Sequence, residues 1–194
     1  GNMSGGNMVI IDTLEAGKSG TYTINCSGKP EEEVKKNDGM YFSFLWRTPD
    51  NNIRFTIETP DGKTSEEFST GSGLMKVGQY KLFYSRELST KGTVMMKCGV
   101  SEEDSGVVKG KFKIKAVTDK GEVVRAYVVD VTQSWAGNAR WINHPNISDE
   151  SNVCFPSTAD SCIAVGAYVF NMGWMDKLGD LASYSSKGYN ITGK

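Results

Sequence analysis

The chain is poor in several kinds of residue, and each shortage removes a class of function. There is a single histidine, His144, in 194 residues. The four cysteines, Cys26, Cys98, Cys154 and Cys162, form no C-x-x-C pair, so neither a zinc site nor a disulfide-built scaffold is expected. The cysteines read instead as free thiols used as small hydrophobes, and no metal or cofactor is expected. The 22 basic and 23 acidic residues are well mixed and give a formal charge of −1. No basic stripe exists to follow a nucleic-acid backbone, and no Lys/Arg cluster to meet an anionic membrane. No apolar run approaches the roughly 20 residues of a membrane span, and no h-region marks a signal peptide. Neither a nucleic-acid partner nor a membrane span is expected. Amphipathic helical periodicity is almost missing as well.

What the chain does have is β pattern. Strand-like runs fall at 9–14, 21–26, 40–46, 53–58, 80–84, 93–97, 110–117 and 123–131. Turn chemistry separates them. Thr59-Pro-Asp-Gly62 is a strong turn, since proline presets φ and glycine tolerates positive φ. Residues 119–121, Asp-Lys-Gly, predict a hairpin between the strands on either side. Phe112, Ile114 and Ala116 alternate with Lys111, Lys113 and Lys115, one face for a core and one for water. Many short strands at regular intervals predict a mainly β domain, a sandwich or jelly roll. Around 133–151 the pattern breaks into Trp, Asn and Pro, which marks a domain boundary. Trp135 and Trp141 in that stretch are expected to lie outside strands and to be exposed.

After that boundary comes a different signal. Cys162-Ile-Ala-Val-Gly-Ala-Tyr168 is an almost uninterrupted apolar run bounded by breakers, the mark of a strand buried on both faces. Such strands belong to parallel sheets covered by helices, and this chain has little to cover one. Pro156-Ser-Thr-Ala159, Ile163-Ala-Val-Gly-Ala-Tyr168 and Leu181-Ala-Ser-Tyr-Ser-Ser-Lys-Gly188, in this order, resemble a consecutive block of the subtilisin-like serine peptidases. That family precedes the block with an A-G-N turn whose asparagine side chain helps form the oxyanion hole, and the chain opens with Gly1-Asn2. In the plain family the two features are close together. Here most of the chain separates them, so a β-sandwich inserted in the intervening loop is expected, as in a subgroup of bacterial subtilases.

The resemblance implies three parts: residues 1–8 as the edge of a subtilase catalytic fold with the oxyanion turn, 9–149 as an inserted β-sandwich or jelly roll, and 150–194 as a return segment of the subtilisin-like α/β fold. The opening residues read as a cut made inside a longer protein. By the same resemblance Asn2 would donate its amide to the developing oxyanion. Val153, Cys154, Phe155 and Pro156 would form one wall of the S1 pocket, with Cys154 where a glycine commonly lies. The catalytic Asp, His and Ser are expected outside this chain. Asp104-Ser-Gly-Val-Val108 imitates the family's aspartate motif, but Ser101-Glu-Glu precedes it where an apolar strand should, and it follows the oxyanion asparagine. His144 sits in Asn143-His-Pro145, not in an H-G-T-H context, and is expected to be an exposed loop histidine. The expected partners are the rest of the parental protease domain and its peptide or protein substrate, in an extracellular or cell-envelope bacterial setting. The competing expectation is a non-catalytic sandwich that binds glycan or protein through exposed aromatics, or an inert subtilase relative.

Overall fold

The computed structural model describes residues 7–26, 39–104, 108–130 and 139–148. Eleven strands are present among them: β1 (Val9–Leu14), β2 (Ser19–Cys26), β3 (Met40–Trp46), β4 (Ile53–Glu58), β5 (Ser72–Val77), β6 (Tyr80–Leu88), β7 (Val94–Glu102), β8 (Gly110–Thr118), β9 (Glu122–Asp130), β10 (Ala139–Ile142) and β11 (Ile147–Ser148). They form two antiparallel sheets, seven strands in the order β11-β1-β9-β3-β7-β6-β5 and four in the order β10-β2-β8-β4. The chain alternates between the sheets strand by strand except across β5, β6 and β7, which run on as a meander. The succession β1-β9-β3-β7 facing β2-β8-β4 is a jelly-roll arrangement.

Period-two alternation builds the core. On β3, Met40, Phe42, Phe44 and Trp46 point inward and are buried. On β8, Phe112, Ile114 and Ala116 do the same while Lys111, Lys113 and Lys115 face water. Rings carry the packing between the sheets. Phe44 meets Tyr22 and Phe55 at 5.0 Å between centroids, and Phe55 meets Phe68 at 5.9 Å. Cys26 and Cys98 are buried, and burial pushes the Cys98 thiol's ionisation well up.

The turn at residues 59–62 forms as its chemistry requires. The Gly62 N–H donates to the Thr59 carbonyl at 2.9 Å, and Gly62 has φ +75°. The expected hairpin at residues 119–121 does not. β8 pairs with β2 and β4, while β9 pairs with β1 and β3, so this turn is a corner that carries the chain from one sheet to the other. Buried polar contacts hold the corner in place of a ladder. Thr118 Oγ1 donates to Asn51 Oδ1 at 2.6 Å, and Asn51 Nδ2 donates to the Gly121 carbonyl at 3.0 Å. Arg54 adds a fork onto the Asp119 carboxylate, at 2.8 and 3.0 Å.

The break in β pattern at 133–151 is corrected over its described part. Residues 139–142 and 147–148 are strands, closing one edge of each sheet by pairing with β2 and β1. Trp141, expected to be exposed outside strands, lies on β10 and is fully buried, because its indole fills the end of the core and its N–H finds a buried carbonyl. Trp135 and the apolar run 162–168 lie outside the described residues, as does the return segment expected to resume a subtilisin-like α/β fold.

Candidate functional site: the junction where the chain enters and leaves the sandwich

β1 and β11 are antiparallel neighbours, with Val9 opposite Ser148 and Ile10 opposite Ile147. The first and last strands of the sandwich therefore place the incoming and outgoing backbone side by side, about 5 Å apart. The residue before this point ties both sheets together. The Met8 carbonyl accepts the Val128 N–H at 3.0 Å from the seven-stranded sheet and the Trp141 Nε1–H at 3.1 Å from the four-stranded one. The Trp141 backbone N–H donates to the Asn7 carbonyl at 2.9 Å.

Beside this backbone knot lies a polar clasp that the sequence did not announce. Asp12 on β1 accepts the Tyr22 hydroxyl on Oδ2 at 2.8 Å and the Asn146 side-chain amide on Oδ1 at 2.8 Å. His144 Nε2 stands 3.6 Å from the same Oδ2. The Asn146 backbone N–H donates to His144 Nδ1 at 3.2 Å, which in the neutral ring assigns the proton to Nε2, facing the carboxylate. The imidazole stacks on the Tyr22 ring, centroids 5.2 Å apart and planes 13° from parallel. Its side chain is only 10% exposed, which corrects the expectation of an exposed loop histidine. Asn143 supplies the turn with φ +57°, and Asn7, at the other end of the junction, has φ +52°. They are the non-glycine residues with positive φ among those described, and asparagine is a side chain that tolerates this region.

The clasp is built to hold, not to react. His144 Nδ1 already accepts the Asn146 N–H, so the one lone pair of the neutral ring is not free to act as a general base toward a nucleophile. The hydroxyl at Asp12 is a phenol that donates to it. Burial first, then the hydrogen bond and charge of Asp12, push the ionisation of Tyr22 well up and keep it a donor. Asn143-His-Pro-Asn146, directly after Trp141-Ile142, was the available signal. A pair of Asn residues around His-Pro makes a tight turn whose side chains can reach back to a neighbouring strand.

A second surface feature is an apolar row on the outer face of the seven-stranded sheet. Leu74 on β5 is opposite Phe83 on β6, Phe83 is opposite Gly99 on β7, and Gly99 is opposite Tyr41 on β3. Leu74, Phe83 and Tyr41 are 69%, 47% and 51% exposed. The Tyr41 ring lies over Gly99, where a Cβ would come within 2.8 Å of it.

The residues expected to serve catalysis and substrate binding, Asn2, Val153, Cys154, Phe155 and Pro156, lie outside the described residues, as do Ser105 and Gly106 of the aspartate-like motif. No helix among the described residues is long and apolar enough to cross a membrane. No family model matches the chain, and no curated protein matches it. Among solved structures the chain is similar to the Clostridium perfringens CspB protease, with a TM-score of 0.71 at 14% identity. The match covers 97% of this chain and 36% of that one, so this chain spans about a third of the length of the protease whose fold it shares.

Proposed function

We propose that this chain is an internal part of a subtilisin-like serine endopeptidase, comprising an inserted jelly roll and the catalytic-domain segments that flank it. The observation that carries the proposal is the pairing of Val9 with Ser148. A domain whose first and last strands are ladder neighbours fits into a surface loop of another domain without spreading that loop's ends. Two further observations agree with it. The motifs of residues 156–188 resemble the subtilisin-like family, and a solved structure of similar fold is a protease about three times as long.

On this reading the sandwich braces or regulates the catalytic domain, and the clasp at Asp12, Tyr22, His144 and Asn146 keeps the two connections to that domain in fixed register. Asn2 donates its side-chain amide to the oxyanion formed when a serine outside residues 1–194 attacks the peptide carbonyl. Residues 153–156 wall the S1 pocket, with Cys154 narrowing its base. The amine product leaves, and water then releases the acyl group. The setting is extracellular or in a bacterial cell envelope.

Labelling of the intact parent protein with a fluorophosphonate, followed by peptide mapping, tests this directly. One labelled serine outside residues 1–194 is expected, and Asn2→Ala should lower kcat by roughly 10²–10³-fold with little change in KM. An unlabelled parent, or a label on a serine of this chain, would overturn the proposal.

A further inference from the structure

β5 closes the end of the seven-stranded sheet remote from the junction, and among the described residues nothing pairs with its outer edge. The parity of that edge follows from one bond. The Arg86 N–H donates to the Gly71 carbonyl at 2.7 Å, so residues 71 and 86 form a hydrogen-bonded pair. By alternation 73 with 84, 75 with 82 and 77 with 80 exchange bonds with β6. The N–H and C=O groups of Ser72, Leu74 and Lys76 therefore point away from the sheet. The usual defences of an edge are weak here. Residues 72–77 keep unbroken register with no bulge and no proline, and the one charge, Lys76, is ion-paired to Glu103.

We infer that β5 pairs antiparallel with β5 of a second copy of this chain, Leu74 opposite Leu74. The edge is self-complementary in that register. It uses all three outward N–H and C=O pairs of each strand. It sets Ser72 opposite the Lys76 of the second copy, so no like charges face one another. It also joins two apolar rows into one, running from Tyr41 through Phe83 and Leu74 into the same three residues of the second copy. Met75 meets Gly73 on the other face, where bulk is compatible. Shifting the pairing by two residues toward the turn would bring Gly78, with φ +61°, into a ladder it cannot join. Among the described residues the sandwich begins at β1 and ends at β11, five and six strand spacings from β5, or roughly 24–29 Å across the sheet.

The test uses the full 194-residue chain in sedimentation equilibrium and in amide exchange over a range of concentrations. A reversible dimer is expected, with the Leu74 and Lys76 amides becoming protected as it forms. Leu74→Lys sets two lysines directly opposite each other and should abolish the dimer while leaving the thermal transition in place, because Leu74 is exposed. Ser72→Glu brings a carboxylate opposite Lys76 of the second copy and should tighten association by roughly two- to fivefold. A monomer at every concentration would overturn the inference. So would a dimer indifferent to Leu74→Lys, or edge amides already protected in the monomer, since another segment would then hold the edge.

Discussion

The two edges of the seven-stranded sheet solve the same problem in opposite ways. At one edge a strand of only two residues, β11, covers β1, and a carboxylate, a phenol, an imidazole and an amide lock it down. At the other, β5 presents a full six-residue strand whose outer backbone groups have no partner among the described residues and whose exposed side chains are Ser72, Leu74 and the ion-paired Lys76. A short, polar, side-chain-clasped edge leaves no template for another strand. A long, regular one does. The difference separates two jobs: one edge fixes where the chain is connected, and the other is free to meet something.

Trp141→Ala bears on this contrast with the largest expected effect. The substitution removes a fully buried indole that touches Tyr22 and Phe44 and donates to the Met8 carbonyl. A loss of about 3–5 kcal/mol is expected, measured by urea denaturation. Exchange in the native state should rise first in β1, β10 and β11 and last in β5 and β6. Uniform loosening of both edges would show that the junction is not a separate unit of stability.

Gly78→Ala strikes the open edge and should cost less, about 1–2 kcal/mol. Gly78 holds φ +61° at the first central position of the two-residue turn joining β5 to β6, where a glycine is demanded. An added Cβ would also fall 2.0 Å from Asp61 Oδ2, but that is the tip of an exposed side chain that can move, so the backbone strain decides the cost. The expected signature is fraying of β5 and β6 alone, seen as faster amide exchange there with β1 and β9 unchanged.

Much of the sandwich was legible in the chain because its core strands obey the period-two rule. β3 and β4 fall where alternation puts them, β1 falls where its apolar run does, and the inward set of β3 is the apolar set. The failures are of three physical kinds. β5, Ser-Gly-Leu-Met-Lys-Val, is rich in small residues and half exposed, so edge position hides its pattern. β10 and β11 are too short for periodicity to register, and tertiary packing of Trp141 and Ile147, not propensity, makes them strands. The corner at residues 119–121 looks like a hairpin locally, and only the partners of β8 and β9 reveal that it changes sheets. The clasp's partners were illegible for the same reason. Asp12 and Asn146 are brought together by β1–β11 pairing across almost the whole described chain, and the local Asn-His-Pro-Asn turn does not name the strand it reaches.

Acid should distinguish the two edges, with the smallest effect of the set. Around the open edge, the hydrogen bond and charge of Lys76 hold the Glu103 carboxyl below its usual range, and the hydrogen bond from Thr59 does the same for Asp61. A carboxyl whose folded value is depressed stabilises the fold fully above its unfolded value, near 4, and that contribution is lost as pH falls through the folded value. Both groups are solvent-exposed, so the loss is small and salt-sensitive. Base acts at the clasp. The raised ionisation of Tyr22 makes its contribution complete below the unfolded value, near 10, and lost as pH climbs above it. Lys76, raised by Glu103, weakens the open edge over a similar alkaline range. The discriminating experiment is therefore on the acid side, following amide protection of β5–β6 and of β1–β11 from pH 7 down through about 4. Protection should fall first in β5–β6, and Glu103→Gln should flatten that decline. Equal acid sensitivity at both edges would mean that the charges around β5 and its turn contribute nothing local, and that register and packing alone hold the open edge in place.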